Sequence, residues 1–109
     1  MPVYMFQAKY TSDAISAMVA SPQDREAPAR ALIESMGGTL LSMYFAMGQE
    51  DIVAIIEAPD DQSVAAMSMV IGASGSFSAG ATTKLMSAAE AMGAMEKAQS
   101  AISAYSPPS

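Results

Sequence analysis

Hydrophobic and polar positions change their period several times along the chain. From Val3 to Lys9 they alternate loosely, with β-branched and aromatic residues among them, which predicts a first strand. Ile15, Met18 and Val19 then recur at helical spacing behind Thr11 and Ser12, either of which can cap a helix. Ser21, Pro22 and Asp24 predict a restart, with Ser21 as the cap, Pro22 in the first helical position and Asp24 facing the positive end of the dipole. Proline deep in such a helix costs about 3 kcal/mol, so a kink or break is expected before the segment from Pro28 to Met36. Gly37 ends that helix, and Gly37 and Gly38 supply the reversal.

Thr39 to Met47 predicts a second strand, with Leu41, Met43, Phe45 and Met47 on one face and Leu40, Ser42, Tyr44 and Ala46 on the other. Gly48 to Glu50 is short enough for a hairpin loop, and Asp51 to Glu57 returns as a third strand. Its Ile52, Ala54 and Ile56 face one way, and Asp51, Val53, Ile55 and Glu57 the other. Pro59 halts this strand, and Asp60 or Asp61 caps a helix carrying Val64, Met67, Met69, Val70 and Ile71. The glycine-containing segment from Gly72 to Phe77 stops it, and Ser76 to Met86 predicts a fourth strand. Ser87 and Glu90 are spaced as a capping box for a last helix with Met92, Met95 and Ile102 along one stripe.

The order is β-α-β-β-α-β with an extra C-terminal helix. This is the ferredoxin-like α+β arrangement, an antiparallel sheet with helices on one face. Residues 1–104 are expected to form one domain and residues 105–109 a frayed tail. The hairpin strands are apolar on both faces, yet the helices can cover only one. A soluble monomer rarely leaves such a face open, so a homodimer pairing sheet to sheet is expected.

Composition narrows the chemistry. The chain has 109 residues, no cysteine and no histidine. Thiolate chemistry, a Ser-His triad, a histidine base and a histidine-ligated haem are therefore excluded. Eleven acids against five bases give a formal charge of −6, which argues against nucleic acid and anionic membrane as partners. No run approaches the ~18 apolar residues that would span a bilayer. The N-terminal segment lacks the marks of a secretory signal, so a cytoplasmic location is the default expectation.

Three segments carry a resemblance: Met1 to Thr11, Ser35 to Asp61 and Gly72 to Ser87. Together they resemble the GYD domain family, over about Met1 to Ala89. The Gly-Tyr-Asp-like motif corresponds here to Gly48, Glu50 and Asp51, with Gln49 inserted and Glu50 at the tyrosine's place. The resemblance implies a dimeric α/β barrel but no particular activity. Proteins that share only the barrel include cofactor-free monooxygenases, lactone isomerases and haem enzymes, and fold analogy does not choose among them.

The acids around the third strand do not form one cluster. Asp51 and Glu57 share a strand face but lie roughly 20 Å apart at ~3.3 Å per residue, too far for an acid/base pair. Hairpin, strand-exit and capping roles account for most of these acids. Asp51 is the one placed where a sheet end could open into a pocket, and Tyr44 is the preferred pocket tyrosine. Tyr4, Lys9 and Lys84 are the candidate ligand-binding residues, since a lysine beside a tyrosine would lower the phenol's pKa. The ordinary alternative is that these side chains bury their stems and keep their tips wet.

The eleven methionines fall on apolar stripes, which fits core filling better than copper binding, and no metal site is expected. The glycine-rich segment from Gly72 to Gly80 lacks a phosphate-loop lysine and runs from helix into strand, so it aims no helix N-terminus at a phosphate. No cofactor is expected. The leading expectation is a dimeric protein that binds a small, partly apolar molecule between sheet and helices. The alternatives are a cofactor-independent monooxygenase or isomerase, and a structural or regulatory oligomerisation module without a ligand.

Overall fold

The computed structural model describes residues Met1–Ser109. Strand β1 (Val3–Tyr10) leads into α1 (Ser12–Ala20) and α2 (Glu26–Ser35), followed by β2 (Thr39–Phe45) and β3 (Ile52–Glu57). Then come α3 (Asp61–Ala73), β4 (Phe77–Leu85), α4 (Ala88–Ala101) and a short 3-10 turn at Ile102–Ala104. The strands form one sheet in the order β2-β3-β1-β4, with every pairing antiparallel. This is the expected ferredoxin-like order with an additional C-terminal helix.

Capping side chains set most helix starts. Thr11 accepts the Ala14 N–H at 3.2 Å, and Asp60 accepts the Ser63 N–H at 2.8 Å. Ser87 and Glu90 form the reciprocal capping box at the start of α4. The helix expected to restart at Ser21 does not. Ser21 instead closes α1 by donating its N–H to the Ala17 carbonyl, and residues 22–24 are irregular before α2 begins behind Arg25. Pro28 is then the third residue of α2 and causes no break, because first-turn N–H groups have no intrahelical partner to lose. At the other end Gly37 adopts φ +80°, and the N–H groups of Gly37 and Gly38 donate to the Glu34 and Ile33 carbonyls. This Schellman closure requires a left-handed residue, and glycine takes that conformation without a Cβ clash. A Cβ on Gly38 would lie 2.5 Å from the Glu57 carbonyl oxygen, so the α2–β2 turn is seated directly on β3.

The second strand departs from simple alternation. Its register to β3 shifts between Leu40 and Ser42, so Leu41 is an extra residue and stands 48% exposed. Leu40, Met43 and Phe45 therefore oppose Ile56, Ala54 and Ile52, while Ser42 and Tyr44 oppose Ile55 and Val53. The strand also stops at Phe45, and Ala46 to Asp51 form a longer loop than expected, with Met47 fully exposed. Asp51 precedes β3 rather than opening it.

The main core lies between the helices and the inner sheet face: Tyr4, Ile33, Leu40, Ala54, Ile56, Ala58, Val64 and Met67. A smaller cluster of Ala8, Tyr10 and Ile52 packs against Ala14 and Met18 of α1. The outer face carries Met5 between Ile55 and Thr83, Val3 beside Leu85, and Tyr44 beside Val53. Val3, Met5, Val53, Ile55 and Leu85 are partly exposed there, and Tyr44 is 68% exposed. Helix α4 has no buried residue, and Met92, Met95 and Ile102 of its apolar stripe are exposed. The chain measures 59 × 35 × 22 Å with a radius of gyration of 17.7 Å, against about 13 Å for a compact chain of this size. Helix α4 and its turn thus leave the sheet as an arm. No helix is long and apolar enough to cross a membrane.

Candidate functional site

A cleft of about 300 Å³ opens between the inner sheet face and helices α2 and α3. Its existence follows from side-chain size. Ala29 on α2, Ala54 on β3, Ser68 on α3 and Thr82 on β4 all line it, and none fills the space that a leucine would. Larger apolar groups close its sides: Phe6, Leu32, Ile33, Met43, Ile52, Ile56, Val64, Met67, Ile71 and Phe77. The Ser68 and Thr82 hydroxyls meet at 3.2 Å where α3 crosses β4.

Two polar groups stand out in this apolar lining. Tyr10, at the end of β1, is buried and stacks on Phe77 at a ring-centroid distance of 4.6 Å, with Phe45 at 6.0 Å. Burial pushes its phenol pKa up, while the neighbouring Arg25 guanidinium acts in the opposite direction. Arg25 lies in the irregular link before α2 and is half-buried. Its guanidinium donates to the Gln23 amide oxygen at 2.9 Å. Neither residue was among the expected site residues. Tyr10 shares the parity of Tyr4, Phe6 and Ala8, but β1 was expected to stop one residue earlier. Arg25 falls in the stretch whose sequence predicts a helix starting at Ser21, and that helix does not form there.

None of the five expected residues lines this cleft. Tyr44 is on the outer sheet face and 68% exposed. The bulge keeps it on the face of Ser42 but separates it from Leu40, its expected face-mate, and that face points away from the helices. Asp51 ties the hairpin loop to β1. It accepts the Tyr10 N–H at 2.9 Å, its own N–H donates to Ala8, and its carbonyl accepts the Ala46 N–H. Lys9 approaches it at 3.9 Å, an exposed pair of small energetic weight.

Tyr4 and Lys84 do come together, as strand pairing places them side by side. Asp61 of α3 joins them: the Tyr4 hydroxyl donates to Asp61 Oδ1 at 2.5 Å, and Lys84 Nζ lies 3.1 Å from the same oxygen. The lysine sits 5.9 Å from the Tyr4 ring centroid. The expected lowering of the phenol pKa is reversed. Tyr4 is pushed up to about 12, first by its hydrogen bond to Asp61, then by burial and the nearby acids. The same hydrogen bond, followed by Lys84, holds the Asp61 pKa down.

The sign of the resulting pH dependence follows from linkage. Tyr4 has a folded pKa above its unfolded value of about 10, so its contribution is complete below that pH and lost as pH rises through about 12. Asp61 works oppositely: its contribution is present above the unfolded carboxyl pKa of about 3.9 and lost as pH falls through its depressed folded value. Ultraviolet titration should therefore show a phenolate component with a midpoint near 12 that disappears in Tyr4→Phe. A titration with no such late component would contradict the Tyr4–Asp61 bond.

A family model described as GYD domain matches residues 4–95. No curated protein matches the chain significantly. Among solved structures, the chain is similar to the crystal structure of MtbAldR, with a TM-score of 0.52 at 17% identity, covering 79% of this chain and 52% of that one. It is also similar to the crystal structure of FFRP-DM1, with a TM-score of 0.50 at 10% identity, covering 79% of this chain and 100% of that one. The chain thus spans about half the length of MtbAldR. At such identities the likeness is one of fold.

Proposed function

This chain belongs to the GYD domain family, and from that premise and its cleft we propose that it is a homodimeric protein binding a small, largely apolar molecule between sheet and helices. The carrying observation is the cleft of about 300 Å³ with its mainly hydrophobic walls. Ligand sites typically run from about 300 to 1,000 Å³ and combine apolar walls with a few polar groups. A purely structural module would gain by filling this space, since voids forfeit packing contacts. Dimerisation is supported by the outer sheet face, where Met5, Val53, Ile55, Tyr44 and Leu85 remain partly or largely exposed. Two such faces packed together would make the barrel architecture.

The test is direct binding of 1-naphthalenemethanol, followed by calorimetry. Wild type should bind it. Ala29→Phe, which places a ring in the cleft from a half-buried position, should lose at least about 10-fold in affinity, as expected when a pocket is filled. Undiminished binding in the filled variant would place the ligand elsewhere, and no binding by either protein would remove the reading.

A further inference from the structure

We propose, resting on the binding reading above, that the ligand is an apolar carboxylate whose acid head is held by Arg25 and the Tyr10 hydroxyl. The cleft contains one charged side chain, Arg25, and no carboxylate. That asymmetry is notable in a chain with eleven acids and five bases. Three of the other bases already have acidic partners: Lys9 with Asp51, Arg30 with Glu26 at 3.0 Å, and Lys84 with Asp61. Arg25 has none, and its side-chain hydrogen bond is to the neutral amide of Gln23.

A guanidinium bordering apolar walls gains most from an anion that brings its own hydrophobic body. The planar fork suits a carboxylate, and the charge-assisted bond strengthens where water is thinned. Tyr10 supplies the second donor. It lines the same cleft as Arg25 and its ring is fixed in the aromatic stack with Phe77, so the O–H can donate to an acid oxygen at little entropic cost. Single charge matters as well. A phosphate would demand more donors than one guanidinium, a phenol and scattered hydroxyls provide.

Size completes the assignment. The space is about twice the ~150 Å³ that accommodates benzene, which suits a bicyclic aromatic or medium-chain aliphatic acid.

The experiment compares 1-naphthoate, 1-naphthalenemethanol and 1-naphthylmethylamine by titration calorimetry at pH 7.5. Wild type should bind the acid about 10- to 100-fold more tightly than the alcohol, the range of one hydrogen bond to a charged group, and the amine least. Arg25→Gln should weaken the acid far more than the alcohol and erase the preference to within about 3-fold. Tyr10→Phe should weaken the acid more than the alcohol. Circular dichroism establishes that each variant is folded. If acid and alcohol bind equally, or if Arg25→Gln keeps the preference, the carboxylate assignment falls while the apolar cleft stands. If no probe binds, both fall together.

Discussion

Truncating Leu40 to alanine should cost about 2–5 kcal/mol of folding stability, whereas Leu41→Ala should change it by no more than about 0.5 kcal/mol. The two leucines are adjacent and chemically identical, so only their placement separates them. Leu40 is 3% exposed and packs in the main core opposite Ile56; Leu41 is the bulged residue and stands half in solvent. A regularly alternating strand would group Leu41 with Met43 and Phe45 and turn Leu40 outward, reversing the expected ranking. Urea denaturation of the two variants at one protein concentration decides it. Equal losses, or a larger loss at Leu41, would contradict the bulge.

Ile55→Asp should convert the protein to a monomer. Sedimentation of wild type at micromolar concentration should give twice the monomer mass, and the variant the monomer mass. Ile55 lies at the middle of the outer face, beside Met5 on β1 and Ser42 on β2. An unpaired carboxylate buried there by a second sheet costs about 3 kcal/mol or more, at least roughly 100-fold in dissociation constant. In the isolated chain the same side chain would reach water, so the fold should survive. Wild type sedimenting as a monomer would end the sheet-to-sheet proposal, and an unchanged dimer in the variant would move the interface elsewhere.

Where the chain carries its own punctuation, the fold is legible from sequence. Thr11, Asp60 and the Ser87–Glu90 pair announce helix starts through side-chain oxygens that satisfy local N–H groups, and all three caps form. Gly37 and Gly38 announce the reversal after α2 for the same local reason. The misreadings arise where distant contacts decide. Ser21-Pro22 has the chemistry of a helix start, but Ser21 is used to close α1. The bulge at Leu41 has no mark in β2 itself, because it answers to the register that β3 offers.

The site is less legible. Asp51 looks exposed to a pocket in sequence, yet its carboxylate is spent on the Tyr10 N–H at the end of β1. Tyr4 and Lys84, two of the candidate ligand-binding residues, pair across β1 and β4, but Asp61, from another element, sets their chemistry. The cleft depends on small residues drawn from α2, α3, β3 and β4. No single stretch of sequence records that coincidence, nor the placement of Arg25 and Tyr10 along one cleft.

Helix α4 bears on how the molecule comes apart. A helix of 14 residues is marginal in water when nothing packs on it, and α4 has no buried residue to anchor it. Its amide protons should exchange on the timescale of a fraying segment, while those of the central β1–β3 ladder wait for global opening. The isolated chain therefore contains two cooperative units of unequal stability. A melting temperature read from the sheet would say nothing of the arm, and the arm would already be fluctuating while the sheet remained intact.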